Sequence, residues 1–319
     1  MSTAAVDLRF MGMTHHIRIA SRASAMATAQ VNWLMKEITR TSPDVVPEFV
    51  PITTVGDSWA GPLAEVGGKG VFTSAVARAV LDGHADIALH CAKDMPGDEP
   101  EPAGTLCLYP QRGDVHDALV DPAGRKLDDL PAGARIGTSA PRRIAQLTAS
   151  HSHLTVVPVR GNADTRLDLA HAGDVDAVIL ARAGLRRLGR EDEATEIIDT
   201  ARMMPALGAG QLALQIRADD QLVLDLLAPL SDAAATRAAL AERTLLRALA
   251  GHCHAPIAGH AYTDAAGKLH LAARVYTPDG SAMLAAARTG PDPLTLGTEV
   301  AEDLIAQGAN KLLASSRRS

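Results

Sequence analysis

The feature that most constrains the fold is a strand, turn and helix unit that recurs through the first two thirds of the chain. HIRIA at 16–20 reads as a short strand, and Ser24 can cap a helix predicted over about 25–40 that ends before Ser42-Pro43. A second unit has the flexible loop GGKG at 67–70, a helix starting at Thr73 or Ser74 and stopped by Gly83, and the apolar strand ADIALHCA at 85–92. That strand runs out into Lys93, Asp94 and Pro96, which must form a loop at its carboxyl end. The grammar returns in the middle: strand ARIG at 134–137, turn Thr138-Ser139, then a helix with Pro141 in its first turn that carries Arg142 and Arg143. Strand LTVVPVR at 154–160, turn GNADT, helix RLDLAHA closed by Gly173 and strand DAVILA follow. Gly83-His84-Ala85-Asp86 resembles Gly173-Asp174-Val175-Asp176, each a helix stop before an aspartate and an apolar strand, so two similar α/β halves are expected. This alternation predicts mostly parallel sheets, with ligands bound beyond the carboxyl ends of the strands.

The last third changes style. A helix is predicted over 232–250 with Ala241, Leu245 and Leu249 on one face, then strands near 257–263, 268–276 and 282–288 separated by turns at Ala266-Gly267 and Asp279-Gly280. A final helix over about 294–314, with Leu296, Val300 and Leu304 at helical spacing, would cover one face of that antiparallel meander. Between the helix and the strands lies GHCHAPIAGHA at 251–261, which holds Cys253.

At 319 residues and 47% hydrophobic, the chain can build two or three domains with ample core. A formal charge of −6 and only 3% aromatics argue against a nucleic-acid surface. No run approaches a membrane span, and MSTAAVDLRFMGMTHH lacks the apolar stretch of a signal peptide, so a cytoplasmic protein with a loose leader is expected. Cys91, Cys107 and Cys253 are too few and too scattered for a disulfide framework or a cysteine zinc site. His252 and His254 lack partners at metal-ligand spacing in the same segment.

Charge is concentrated where the helices begin. Ser24, Thr138, Ser139 and free backbone N–H groups favour bound anions. Arg22, Arg142, Arg143, Arg160 and Arg166, at the same strand ends, can grip carboxylates or phosphates with two parallel hydrogen bonds. So many cations suit a ligand with several acidic arms, while neither a phosphate loop nor a dinucleotide fingerprint is present. Asp94, at the mouth of such a cleft, either stabilises a positive intermediate or moves a proton, or else pairs with Lys93 or a nearby arginine as an ordinary loop carboxylate. His90, in an apolar strand, reads as a satisfied core histidine rather than a base. Cys253, by itself, reads as a small buried hydrophobe.

From about residue 16 to 315 the chain resembles the porphobilinogen deaminase (hydroxymethylbilane synthase) family. The resemblance is carried by IRIASRASAMATAQ, PLAEVGGKGVFTSAVARAVLDGHADIALHCAKDMP, GTSAPRRIAQL, VRGNADTRL, DAVILARAGLRRLG and AERTLLRALAGHCHAPIAGHA, in the family's order. It implies a dipyrromethane cofactor, made from the substrate porphobilinogen and bound through a thioether at Cys253, on which four porphobilinogen units are deaminated and joined head to tail before water releases hydroxymethylbilane. Cys253 is then an anchor. Asp94 matches the carboxylate that stabilises the cation left when ammonia departs. Lys93, Ser139, Arg142, Arg143, Cys91 and Phe72 match positions around the cofactor, with Phe72 able to stack on a ring; Arg22, Ser24, Lys69, Arg160, Arg166 and Arg187 match positions that take the acetate and propionate arms of the substrate.

The implied fold is α/β in three domains. Residues 14–110 with 208–229 and residues 111–207 form two periplasmic-binding-protein-like α/β domains linked by crossing hinges, and 230–319 an α+β domain with a three-stranded antiparallel sheet. The implied protein is a monomer whose partner is the small-molecule substrate, with no metal, nucleic acid or membrane. The chain departs from the family pattern at Leu212, where glycine is usual, at Gln215-Ile216-Arg217, where an acidic residue is usual, and at His252, Cys91, Val55 and Ala140-Pro141. These departures keep open a divergent paralogue with another linear pyrrole product, and an anion-binding module that has lost catalysis.

Overall fold

In the computed structural model, which describes residues 15–58, 70–97, 99–251 and 255–316, the first unit forms as its sequence predicts. Strand β1 (His15–Arg22) leads into helix α1 (Ala25–Thr41), and the Ser24 hydroxyl caps it by accepting from the Ala27 N–H at 3.3 Å. Helix α1 buries Ala27, Gln30, Val31, Leu34 and Ile38, the single stripe that an amphipathic helix lays on a sheet. Then come β2 (Val45–Ile52), the single turn α2 (Val55–Ser58), α3 (Ser74–Leu81), β3 (Ile87–Cys91), a 3-10 turn at Ala92–Asp94, and β4 (Thr105–Leu108). Strand β2, a segment the sequence reading leaves unassigned, carries Pro47 and Pro51; it tolerates them because it lies at the sheet edge, where missing N–H groups cost nothing.

The chain crosses to a second sheet: β5 (Asp117–Val120), β6 (Arg135–Gly137), α4 (Pro141–Ser150), β7 (Thr155–Val157), α5 (Ala163–His171), β8 (Ala177–Ala181), α6 (Arg182–Arg187) and β9 (Glu196–Ile198). It then returns as β10 (Leu212–Arg217) and α7 (Gln221–Leu227). The strand orders are β2-β1-β3-β10-β4 and β7-β6-β8-β5-β9, so the halves are built alike. The expectation of mostly parallel sheets holds with one exception in each: β1 pairs in parallel with β2 and β3, and β6 with β7 and β8, but β10 runs antiparallel to β3 and β4, and β5 to β8 and β9. Each sheet takes its reversed strand from beside a crossover, which a local reading of strand and helix alternation does not register.

The short sequence echo has a physical cause. Asp86 accepts from the Arg18 backbone N–H at 2.9 Å and from its guanidinium at 2.9 and 3.1 Å, and the Asp86 N–H returns to the Arg18 carbonyl. Asp176 makes the same clamp on Arg135, with the backbone bond at 2.7 Å and guanidinium bonds at 3.1 and 3.3 Å. An aspartate before the strand thus ties it to its parallel neighbour in both halves.

The third part consists of α8 (Ala233–Ala248), capped by Asp232, then β11 (Ile257–Thr263), β12 (Leu269–Tyr276), β13 (Met283–Gly290), α9 (Pro293–Gln307) and α10 (Ala309–Ser316). The three strands form the antiparallel meander expected, and Leu296, Val300 and Leu304 of α9 pack on it with Leu245 and Leu249. The single terminal helix expected over 294–314 is broken at Gly308, whose φ of +108° only glycine adopts easily. The two crossover segments meet where the Gly113 N–H donates to the Gly210 carbonyl at 3.2 Å. Buried Glu242 of α8 fastens them to the third part by accepting from Arg112 at 2.7 and 3.2 Å, from the Ala261 N–H at 2.7 Å and from the Gly208 N–H.

Candidate active site

A cavity of about 1070 Å³ opens between the two sheets, at the ends of β1 and β3 on one side and at α6 and the starts of α4 and α5 on the other. That is where ligands of α/β sheets bind, and the volume is at the upper limit of ordinary small-molecule sites. Its described lining carries five arginines and one lysine (Arg22, Arg143, Arg160, Arg166, Arg187, Lys93) against two aspartates, Asp57 and Asp94. Such a site attracts an anion with several negative groups.

Asp94 ends the 3-10 turn that follows β3, half-buried, with exposed Lys93 beside it. The turn is held from below by Gly208: a Cβ there would lie 2.6 Å from the Lys93 amide nitrogen, and its φ is +78°. Across the cleft, burial pulls the Arg166 and Arg187 guanidiniums down while the Asp94 charge pulls both back up. The Asp94 carboxylate thus sits in the field of two desolvated cations from the opposite half. Arg187 also donates to the Gly210 carbonyl at 2.9 Å, and Arg166 to the Gly161 carbonyl at 3.0 Å.

Cys91 lines the cavity one turn before Asp94. Burial and the Asp94 charge push its thiol up, so it stays protonated, and Gln30 donates to its sulfur at 3.1 Å. His90 is the core histidine expected: burial lowers it to about 4, and it pairs with Gln215 at 3.1 Å. It is therefore neutral at pH 7, with its Nε2 tied to Gln215.

Arg22 projects from the end of β1. Its guanidinium carbon lies 4.2 Å from the Phe72 ring centroid, and its Nε donates to both oxygens of Asp57 at 3.0 and 3.2 Å, with a further bond from the terminal nitrogen. Asp57 is pinned in turn by the Thr54 N–H at 3.1 Å and the Thr54 hydroxyl at 2.6 Å. Ser24 and Ser139 line the cavity from the two halves, and Ser139 donates to the Val159 carbonyl at 2.7 Å.

Arg142 and Arg143 were expected side by side in the cleft, and this is corrected. Both are buried, at 7% and 5% exposure, and both bind the carboxylate of buried Asp117, Arg142 at 2.7 and 3.0 Å and Arg143 at 2.6 and 3.1 Å. Arg143 lines the cavity; Arg142 does not, and it also donates to the Met204 carbonyl at 3.1 Å. Although adjacent helical residues leave the axis about 100° apart, both long side chains converge on Asp117, and only Arg143 also reaches the cavity. Arg160, exposed, and Phe72, half-buried, lie on the lining as expected.

Lys69 and Cys253 lie outside the described residues, as does His252. Gly251, which precedes that segment, packs against Gly97: a Cβ on Gly97 would lie 3.1 Å from the Gly251 carbonyl, three residues past Asp94. Gly251, two residues before Cys253 in the sequence, therefore abuts the segment that bears Asp94.

Sequence reasoning missed Asp57, Gln30, Thr165 and Gln211, all on the lining. Gln30 lay within a quoted motif, six residues past the Ser24 cap, where a polar residue on the buried stripe of α1 is itself a signal. Asp57 was hidden because it follows the unassigned β2.

Residues 17–225 match the family model described as porphobilinogen deaminase, dipyromethane cofactor binding domain, and residues 236–306 match porphobilinogen deaminase, C-terminal domain. The chain is 50% identical over 300 residues to porphobilinogen deaminase 2 of Streptomyces coelicolor, covering 93% of this chain and 96% of that one. It is 40% identical to porphobilinogen deaminase 1 of the same organism (93% and 97% covered) and 41% identical to porphobilinogen deaminase of Syntrophotalea carbinolica (94% and 95%). Among solved structures it is similar to a periplasmic sulfonate-binding protein of Methylobacillus flagellatus, at 17% identity and TM-score 0.37, over 73% of this chain and 68% of that one.

Proposed function

The chain belongs to the porphobilinogen deaminase family, and from that premise we propose that the cavity between the two sheets is where porphobilinogen is deaminated, with Asp94 as the catalytic carboxylate. The protein is a transferase that condenses porphobilinogen head to tail into hydroxymethylbilane, with dipyrromethane as its cofactor. The observation that carries the site assignment is the juxtaposition of Asp94 with cations from both halves in one cavity.

The residues fit the cofactor. A dipyrromethane carries carboxylate arms, and the lining offers guanidiniums from both sides; Gly251, two residues before Cys253 in the sequence, packs against Gly97, three residues past Asp94. Cys253 holds the group by a thioether. When bound, the group supplies the pyrrole carbon to which a new ring is joined. Lys93, Ser139 and Arg143, on the lining, would take its carboxylates, Phe72 would offer its ring for stacking, and Cys91, a neutral thiol, would pack beside it. Arg142 acts at one remove, sharing Asp117 with Arg143 and so fixing where Arg143 points.

Arg22, Ser24, Lys69, Arg160, Arg166 and Arg187 bind the acetate and propionate arms of incoming porphobilinogen and orient it. Loss of ammonia from the protonated aminomethyl arm breaks the bond from methylene to nitrogen, the electron pair leaves with the ammonia, and the positive charge moves from the ammonium onto ring and methylene. Asp94, accepting from the pyrrole N–H, stabilises the charge on the ring more than the charge on the departing ammonium, which is the condition for speeding the step.

The domain limits 14–110 with 208–229, 111–207 and 230–319 belong to the same proposal and are supported by the strand membership of the three sheets. So does a cytoplasmic monomer without a nucleic-acid or membrane partner. The net charge of −6 supports the lack of nucleic acid, and among the described residues no helix is long and apolar enough to cross a membrane.

The test is the intact denatured mass of protein from a porphobilinogen-producing host, with peptide mapping. An excess equal to two linked porphobilinogen-derived rings on Cys253 is expected. An unmodified Cys253 that also fails to load on incubation with porphobilinogen or hydroxymethylbilane would overturn the assignment.

A further inference from the structure

One carboxylate on the cavity wall has no part in the chemistry above. Asp57 faces the cavity and holds Arg22 with a bidentate fork, the geometry an incoming substrate carboxylate would use. It is not a chance surface pair. The Thr54 N–H and hydroxyl fix the position of Asp57, and the guanidinium is flattened on Phe72 at 4.2 Å. Burial would raise the Asp57 carboxyl, but the Arg22 hydrogen bond and then those from Thr54 outweigh it and hold it below the usual range. Gly56, beside Asp57, has no room for a Cβ because the same Phe72 ring packs on it, so turn, ring and arginine form one packed unit.

We propose that Asp57 is an internal substitute for a substrate carboxylate: it occupies Arg22 while the cavity is empty and must be displaced before Arg22 can bind an acetate or propionate arm. The inference rests on the reading of the cavity as a carboxylate-binding site. It gives Asp57 a defined role, lowering apparent affinity by the fraction of molecules in which Arg22 is taken, and keeping the Arg22 charge compensated between turnovers. Arg22 and Asp57 side chains are 28% and 25% exposed, so the pair is solvent-screened and weak enough to open. The opposite role, in which Asp57 braces Arg22 for substrate, requires the ligand to bind a guanidinium whose Nε and one terminal nitrogen are already committed.

The experiment is Asp57→Asn, which keeps size and can still accept from Thr54. Binding of propionate is followed through the arginine Nε–H signals in NMR, which needs no turnover, and KM and kcat for porphobilinogen are measured separately. The expected result is propionate binding about two- to fivefold tighter, a fall of similar size in KM, and little change in kcat. The gain disappears in the double variant with Arg22→Gln, and Asp57→Glu restores wild-type behaviour. Asp57→Ser, which retains an oxygen for the Thr54 N–H, moves the same way as Asp57→Asn and covers the case where the amide misfolds. Unchanged or weaker propionate binding in folded Asp57→Asn and Asp57→Ser overturns the proposal and makes Asp57 a brace. Failure of wild type to release ammonia, with tighter propionate binding in the variants, would strike the enzymatic reading and leave the carboxylate exchange standing.

Discussion

The two five-stranded sheets share a strand order and an arginine–aspartate clamp, yet they hold their cleft cations in opposite ways. In the first half Arg22 lies at a strand end, partly exposed, and its counter-carboxylate, Asp57, faces the same cavity. In the second half Arg143 is buried, and its counter-carboxylate, Asp117, lies outside the cavity lining, shared with Arg142. One half thus offers a cation that can change partners. The other offers a fixed cation whose neutralising charge no ligand needs to displace. A site that must grip a growing chain while admitting new substrate gains from having both, since a preorganised cation costs no rearrangement when charge arrives.

The largest effect expected from this comparison is at Asp117. Removing its charge with Asp117→Asn leaves two buried guanidiniums facing each other, which should cost about 3–5 kcal/mol in denaturant unfolding; a loss under about 1 kcal/mol would mean that the second half is not held this way. The pH dependence has a stated sign. Burial would raise the Asp117 carboxyl, but Arg142 and Arg143 outweigh it and hold it far below the usual range. A lowered folded value contributes stability that is full above the unfolded value near 4 and is lost only as pH falls through the folded one. The contribution of Asp117 should therefore survive acid that already protonates ordinary carboxylates.

A smaller pair of changes sharpens the likeness between the halves. Asp86→Asn and Asp176→Asn each break one clamp. Asp86 is 12% exposed and also receives Arg217 at 3.4 Å, whereas Asp176 is 34% exposed, so about 2 kcal/mol is expected for the first and about 0.5–1 for the second. For Asp86 burial raises the carboxyl but the bonds from Arg18 outweigh it, and for Asp176 the Arg135 hydrogen bond leads; both end lowered. Both contributions should thus be full above about pH 5 and fade below pH 4. Equal losses for the two variants would show that burial does not separate the clamps.

Much of this architecture was legible. Ser24 and Pro141 mark helix starts and Gly83 a helix stop by local chemistry, and the three helices begin and end where expected. The Asp86 and Asp176 echo signalled the repeat because the clamp needs an aspartate at that one place in each half. What escaped depends on contacts distant in sequence. The reversed strand β10 joins β3 across more than a hundred residues, and nothing in LALQIR announces its direction. At the site, strand-end residues such as Arg22, Asp94 and Arg166 were readable from their place after strands and at helix starts. The separation of Arg142 from Arg143 was not, because it turns on which side of α4 meets Asp117. Of the family departures, Leu212 is the most readily explained: it pairs across the ladder with Cys91 and packs in the same core, so two of the departures face each other.

The central claim is that Asp94, among cations from both halves, carries the deamination. The most direct measurement is the rate of ammonia release from porphobilinogen by cofactor-loaded wild type and by Asp94→Asn loaded to the same extent, as verified by mass. The account predicts a fall of about 100- to 1000-fold with cofactor loading and folding preserved. A variant that releases ammonia within about threefold of wild type would contradict it, because an amide carries no charge with which to stabilise the cation.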